Sequence, residues 1–331
     1  LTDARGLLEH AHHGVPRLGE GYTTDDNARA LLYLSLLPEG ARDEGLVRTY
    51  LAFLLHMQKE DGRFRNGLTL DGRFEDEGEA EDPTGRAVLA LAAAQRLPPP
   101  YAGPAREALL RALPALEGFP SLMGRAYALL GLLALPKEPF LEAAEALGEG
   151  LLRAFREAEP AWPYPGPLTY ANHRPVEALY AYGLAFRRQE AVALARRALA
   201  FLKEHYFTPG EEGLFFDPVG NRFMARGRDK PLFDQQPIEA KCALLAHLRF
   251  GERVLAEVAF LCFHGRNRRR APLVDAFGPM DGLTPHGPNQ NRGAEALLAY
   301  LLAWQALVQG VFPQVDEGVA LGRVFALGGR P

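Results

Sequence analysis

Six stretches of this chain are almost free of charge once their first turn is passed, and that constrains its fold more than any other feature. They lie at about 24–37 (TDDNARALLYLSLL), 83–96, 121–135, 174–187, 236–249 and 292–307, and they are rich in Ala, Leu and Gly. Apolar residues recur at helical spacing through each, and Pro and Gly mark the breaks. A helix that is apolar all round must be buried all round. Between them run amphipathic stretches at about 43–58, 102–117, 138–158, 189–205 and 251–264, with segment 2–13 able to supply a sixth. Buried helices alternating with half-wet ones at this spacing are a repeat of helical hairpins. Closing the repeat into a ring removes the need for capping units. The expectation is an all-α toroid of six hairpins, one domain spanning 1–331.

The connections add a second constraint. Four are long, at 59–82, 159–173, 206–235 and 265–291, and each leads from an outer helix into the start of an inner one. Long loops in a compact domain are usually functional. All four should gather at one end of the ring, over the N-termini of the inner helices.

Those N-termini carry an unusual set of polar residues. Asp25, Asp26, Asn27 and Arg29 open the first. Glu81, Asp82 and Arg86 open the second, and Asn172, Arg174 and Glu177 follow Tyr170 into the fourth. Asp234, Gln235, Gln236 and Glu239 open the fifth, and Asp281, Asn289, Asn291 and Glu295 the last. An acid in a helix's first turn is favoured by capping and by the macrodipole. Asp82 before Pro83 fits an N-cap with Pro at the first helical position. Capping does not account for the whole set, because Glu177, Glu239 and Glu295 lie deeper, inside otherwise apolar helices. A buried lone carboxylate costs several kcal/mol unless it is paired. The pattern fits a polar pocket at the shared end of the ring.

These residue types suit sugar, whose hydroxyls are read by carboxylates, amides and Arg. Trp162, Tyr164 and Tyr170 in WPYPGPLTY are candidate stacking platforms or a packing lid. Glycoside cleavage needs one carboxylic acid to protonate the leaving oxygen and one carboxylate to activate water or attack carbon. Asp25, Asp26, Asp82, Asp234 and Glu239 are the candidates for those roles. Asn27, Arg29, Arg86, Trp162, Tyr170, Asn172, Arg174, Glu177, Gln235, Gln236, His286, Asn289, Asn291 and Glu295 are the candidate substrate contacts. Among the histidines, His10, His12 and His13 read as the surface of a terminal helix. His173, His264 and His286 flank the long loops and would suit proton transfer in an epimerase.

Other chemistries find little support. A net charge of -4 with only one dense basic run, Arg266 with Arg268, Arg269 and Arg270, argues against a nucleic-acid partner. There is no Gly-rich phosphate loop and no HExxH or CxxC spacing, so no cofactor and no metal are expected. Two cysteines, Cys242 and Cys262, sit in apolar helical stretches and suit a reducing cytosol. No apolar run is long enough to span a bilayer, and no signal-peptide pattern is visible. A cytoplasmic protein is therefore expected. Arg outnumbers Lys, and Asn, Gln, Ser and Met are sparse, a bias shared by thermophiles and by GC-rich genomes.

Five ordered motifs carry a family resemblance: TTDDNARAL (23–31), EDPTGRAVLAL (81–91), LTYANHRPVEAL (168–179), FDQQPIEA (233–240), and DGL (281–283) with NQNRGAEALLAYLLA (289–303). With them the chain resembles an uncharacterised group of bacterial six-hairpin glycosidase-like, (α/α)6-barrel proteins. Members are sometimes found beside or fused to glycosyltransferases. The resemblance implies carbohydrate processing inside the cell, with an oligosaccharide or small sugar as ligand and a glycosyltransferase as a partner. It implies a pocket of Asp25, Asp26, Asn27, Arg29, Asp82, Arg86, Asn172, Arg174, Asp234, Gln235, Gln236, Glu239, Asn291 and Glu295. Two positions depart from the family pattern: Ala171 stands where an acid is usual (TYDNAR), and Arg292 stands in NRGAEA where NQGAES is usual. Three readings follow. The first is a glycoside hydrolase-like enzyme acting on a short oligosaccharide, the second a sugar epimerase or isomerase, and the third a non-catalytic glycan-binding partner of a glycosyltransferase.

Overall fold

A computed structural model describes residues 1–75, 81–135 and 137–312. Among these residues the chain forms eleven α-helices. Six form the inner ring: α1 (Thr24–Leu36), α3 (Glu81–Ala93), α5 (Leu122–Leu132), α7 (His173–Ala185), α9 (Pro237–Arg249) and α11 (Ala294–Gln309). Each inner helix packs on the next, and α11 packs back on α1, so the ring closes. Five outer helices alternate with them: α2 (Glu44–Met57), α4 (Pro99–Ala112), α6 (Phe140–Glu157), α8 (Gln189–Tyr206) and α10 (Arg253–Leu261).

The sequence explains both layers. Each inner helix buries residues around nearly its whole circumference, as its lack of charge requires. Small residues let neighbouring axes approach. A Cβ on Gly85 would lie 2.4 Å from the Gly124 carbonyl oxygen, and one on Gly131 would lie 2.7 Å from the Leu89 Cα. On outer helix α6 the buried residues Phe140, Leu141, Ala144, Leu147, Leu151, Leu152 and Phe155 recur every three or four positions, while the charges face water. Helix starts use side-chain caps: Thr23, Asp43 and Ser121 accept backbone N–H bonds from Asp26, Leu46 and Gly124.

Segment 2–13 is not the sixth outer helix. It runs as turns and short bridges, pairing Thr2 with Leu7, Leu8 with Tyr22 and His12 with Asn291, and it ends in the hairpin Ala11–His12/Val15–Pro16. The side chain of Asp3 accepts from the backbone N–H groups of Arg5 and Gly6, and that of Asn27 accepts from Leu7. These bonds take donors that a helix would have used internally. The segment instead lies across the N-terminal end of the ring, where Ala11 and Arg292 exchange backbone hydrogen bonds.

The long connections gather at that same end. Gln235 bridges Leu283, Leu168 bridges Met224, and the Thr24 N–H donates to the Asn66 carbonyl. These cross-links join loops far apart in sequence into one rim above the inner helices.

Candidate active site at the mouth of the ring

A cavity of about 390 Å³ opens within this rim. Most of its lining residues are polar: the carboxylates Glu9, Asp26, Asp234, Asp281 and Glu295, the amides Asn221, Gln236, Asn289 and Asn291, and His10, with Pro237, Gly293 and Ala296 completing the wall. They come from the N-terminal segment, the first turns of α1 and α11, and two of the long loops.

Arg29 holds two of the lining acids from behind. Its guanidinium donates to Asp26 at 2.5 Å and to Glu295 at 2.6 Å, tying α1 to α11 across the ring closure. Asp26 also accepts from the Thr23 hydroxyl at 2.9 Å. Burial raises the Asp26 carboxyl above its usual range, and the Arg29 charge only partly offsets it, since Glu295 and Asp25 push the other way. Burial likewise raises Glu9. Elsewhere in the lining, Asp281 accepts from the Asn291 amide and the Gly293 N–H, with His10 Nδ1 3.5 Å away. Burial pulls Asp281 up, but His10 and these hydrogen bonds outweigh it and hold it low, while Asp281 raises His10. Asp234 is exposed at the rim and, among the described residues, its side chain accepts one bond, from Asn221 at 3.3 Å. The cavity thus contains carboxyls pushed both up and down, the condition for dividing acid and base roles.

A second polar layer adjoins the first. Asp25 pairs with Arg86, and the Arg86 and Arg29 charges hold it below its usual range against the pull of burial. Asp82 accepts from the Ser121 hydroxyl at 2.6 Å and from the Tyr170 hydroxyl, and burial raises it. It lies inside the first turn of α3, which begins at Glu81, rather than capping the helix. Arg86 also sits over the Tyr127 ring, 4.7 Å from its centroid, and within 5.9 Å of that of Tyr170. Glu239 is buried beneath the loop carrying Ala171, whose N–H it accepts at 2.6 Å. Its other oxygen has no partner among the described residues, and burial pushes the carboxyl up to about 8.

Asp26, Asp234, Gln236, Asn289, Asn291 and Glu295 therefore line the cavity, and Arg29 supports it. Asp25, Asp82, Arg86 and Tyr170 form the adjoining layer. Several expected contacts are not brought to the mouth. The Asn27 side chain is spent on the backbone of Leu7 and Thr23, and that of Asn172 on the Thr169 N–H and the Tyr206 hydroxyl. Arg174 and Glu177 form an interior pair at 2.6 Å, which Arg249 completes at 3.1 Å. The Gln235 amide donates to Asp217 at 2.8 Å. Trp162 lies away from the mouth, beside a separate cleft: its indole N–H donates to the Gly166 carbonyl at 2.8 Å and its ring meets Phe201 edge-on. His286 is exposed in the turn of the hairpin Leu283–Thr284/Gly287–Pro288. His173 is fully buried against Tyr206 and His247, and His264 lies on the outside by Phe260 and Tyr300.

Sequence reading missed Glu9, His10 and Asn221. The first two fell in a stretch read as an outer helix, and no periodicity marks a segment that folds as an irregular strap. Asp281 carried a usable signal, its place in the DGL motif before the last inner helix. Among the described residues, no cluster of three or more His, Cys, Asp or Glu is placed to hold a metal ion. No helix among them is long and apolar enough to cross a membrane.

Solved structures with this architecture exist. D-mannose isomerase matches with a TM-score of 0.69 at 10% identity, over 94% of this chain and 93% of that one. Cellobiose 2-epimerase from Spirochaeta thermophila matches with a TM-score of 0.66 at 15% identity, over 93% and 90%. A GH76 alpha-mannanase from Bacteroides thetaiotaomicron matches at 0.60 and 10% identity, over 94% and 89%. The chain has their (α/α)6 toroid fold. At these identities the likeness establishes the fold alone, and the chemistry must be argued from the site. No family model and no curated protein matches the chain.

Proposed function

We propose that this chain is a carbohydrate-active enzyme that hydrolyses a glycosidic bond at the end of a short oligosaccharide, in the cavity at the mouth of the ring. One observation carries the reading: five carboxylates from separate parts of the chain line a single cavity together with four amides. A volume of about 390 Å³ is at the small end of the roughly 300–1,000 Å³ of small-molecule sites. That suits a terminal sugar better than the middle of a long chain. The polar lining suits hydroxyl recognition, and the related folds in an isomerase, an epimerase and a mannanase support a sugar ligand.

Asp26 is the general acid in this reading. Burial raises its carboxyl, so it can retain a proton for the leaving oxygen. Asp234 is the partner, because its carboxylate is exposed to the cavity and lightly bonded. Arg29 positions Asp26 and Glu295, and the amides orient the sugar. The acid found at position 171 in the family pattern that the sequence resembles is not required by this pair.

The test is release of reducing ends from an oligosaccharide panel, followed by NMR. Asp26→Asn and Asp234→Asn should each lower turnover by about 10²–10⁴-fold, the usual contribution of acid–base catalysis. If the unmutated protein binds panel members but cleaves none, hydrolysis is refuted, and epimerisation or glycan binding is left.

His10 favours a second reading, sugar epimerisation or isomerisation. It lines the cavity between Glu9 and Asp281, where a base could reach a sugar carbon. Incorporation of deuterium at that carbon from heavy water would support it, and its absence across common reducing sugars would remove it.

A further inference from the structure

Below the mouth, on the axis of the ring, lies a separate small void of about 10 Å³. All six inner helices contribute to its wall. The polar residues lining it are Arg29 (α1), Arg86 (α3), Tyr127 (α5), Arg174 (α7) and Lys241 (α9), and the rest of the lining is leucine and alanine. Among the described residues, no carboxylate lines it.

The hydrogen-bonding groups of these side chains are unevenly used. The guanidinium ends of Arg29, Arg86 and Arg174 bind carboxylates, but their Nε–H groups have no partner among the described residues, nor does the Tyr127 hydroxyl. The Lys241 side chain is 2% exposed, and its ammonium makes no hydrogen bond or ion pair among the described residues. Buried polar groups are normally satisfied, and each exception needs an explanation. Here all five groups can donate, and four of them can only donate. A water molecule in the void could accept from two of them. A sphere of negative charge could accept from several at once, in apolar surroundings that strengthen the interaction.

We propose that this void binds one monatomic anion of the halide class, chloride under ordinary conditions. A void of about 10 Å³ favours a monatomic ion over the larger phosphate, sulfate and carboxylate groups. The anion supplies a contacting negative partner, which Lys241 does not have among the described residues, where Asp25 and Glu239 act on it only at longer range. Burial and the charges of Arg174, Arg29 and Arg86 push that ammonium down to about 8, and a bound anion would bring it back up. The site shares Arg29 with the mouth, so the ion also fixes the guanidinium that holds Asp26 and Glu295. This inference does not depend on the reaction proposed above.

The test uses the intact protein and bromide. Crystals soaked in sodium bromide should show one anomalous peak within the ring, among Arg29, Arg86, Arg174 and Lys241. Thermal melts should rise by a few degrees and saturate in bromide, relative to gluconate at equal ionic strength. In Lys241→Met both the peak and the saturable rise should be lost. Water in place of the peak, with equal melting temperatures in both salts, overturns the proposal. A saturable rise that Lys241→Met retains also overturns it, because the ion would then be bound elsewhere.

Discussion

Replacing Glu239 by Gln should make the protein more stable at pH 8 and leave it nearly unchanged at pH 4.5. Glu239 is 1% exposed, one of its oxygens accepts from the Ala171 N–H, and the other has no partner among the described residues. Burial, with Glu295 adding to it, raises the carboxyl from its ordinary 4.5 to about 8. In the unfolded chain the group ionises near pH 4.5, while in the fold it keeps its proton until about 8. Its contribution to stability is therefore complete below pH 4.5, declines as pH rises, and is gone above 8. At about 1.4 kcal/mol for each pKa step, the full difference is on the order of 5 kcal/mol. Gln mimics the protonated acid, so it keeps the Ala171 bond and does not titrate. At roughly 2 °C per kcal/mol for a chain this long, the two melting temperatures should separate by about 5–10 °C at pH 8. Calorimetric melts of both proteins from pH 4.5 to 8.5 read this directly. Parallel pH curves would refute the reasoning and mean that Glu239 is ionised in the fold.

The remaining predictions concern other parts of the ring. Glu177→Gln leaves Arg174 and Arg249 without their shared carboxylate and should cost about 3–5 kcal/mol in denaturant unfolding, as breaking a buried pair does. Trp162→Phe removes the indole N–H bond to Gly166 and should cost about 1–2 kcal/mol while leaving sugar turnover intact, as packing rather than stacking on substrate requires. His10→Gln should keep hydrolysis within about tenfold, since His10 is outside the proposed pair; a loss of about 10²-fold or more would move the proton transfer to His10.

The ring was legible in the sequence because its inner helices must be buried on every side, a demand written into nearly every residue of 24–36, 122–132 and 237–249. The mouth was partly legible. Asp26, Asp234 and Glu295 stand at inner-helix starts and line the cavity, as the convergence of long loops suggests. Glu177 and Glu239 also stand out as carboxylates in apolar helices, but one serves an interior ion triad and the other a loop backbone. Burial of charge signals a partner without saying whether that partner is a ligand or the protein itself. Glu9 and His10 were invisible because the strap that carries them has no periodicity. Its path depends on tertiary bonds to Asn27 and Arg292 that local pattern does not encode.

The most direct measurement is a crystal structure of the Asp26→Asn protein soaked with the oligosaccharides it binds. A terminal sugar ring is expected in the mouth cavity, within hydrogen-bonding reach of Asp234, Glu295 and Asn291, with the glycosidic oxygen beside position 26. Sugar density in the cleft by Trp162 and Arg226, with the mouth empty, would contradict it.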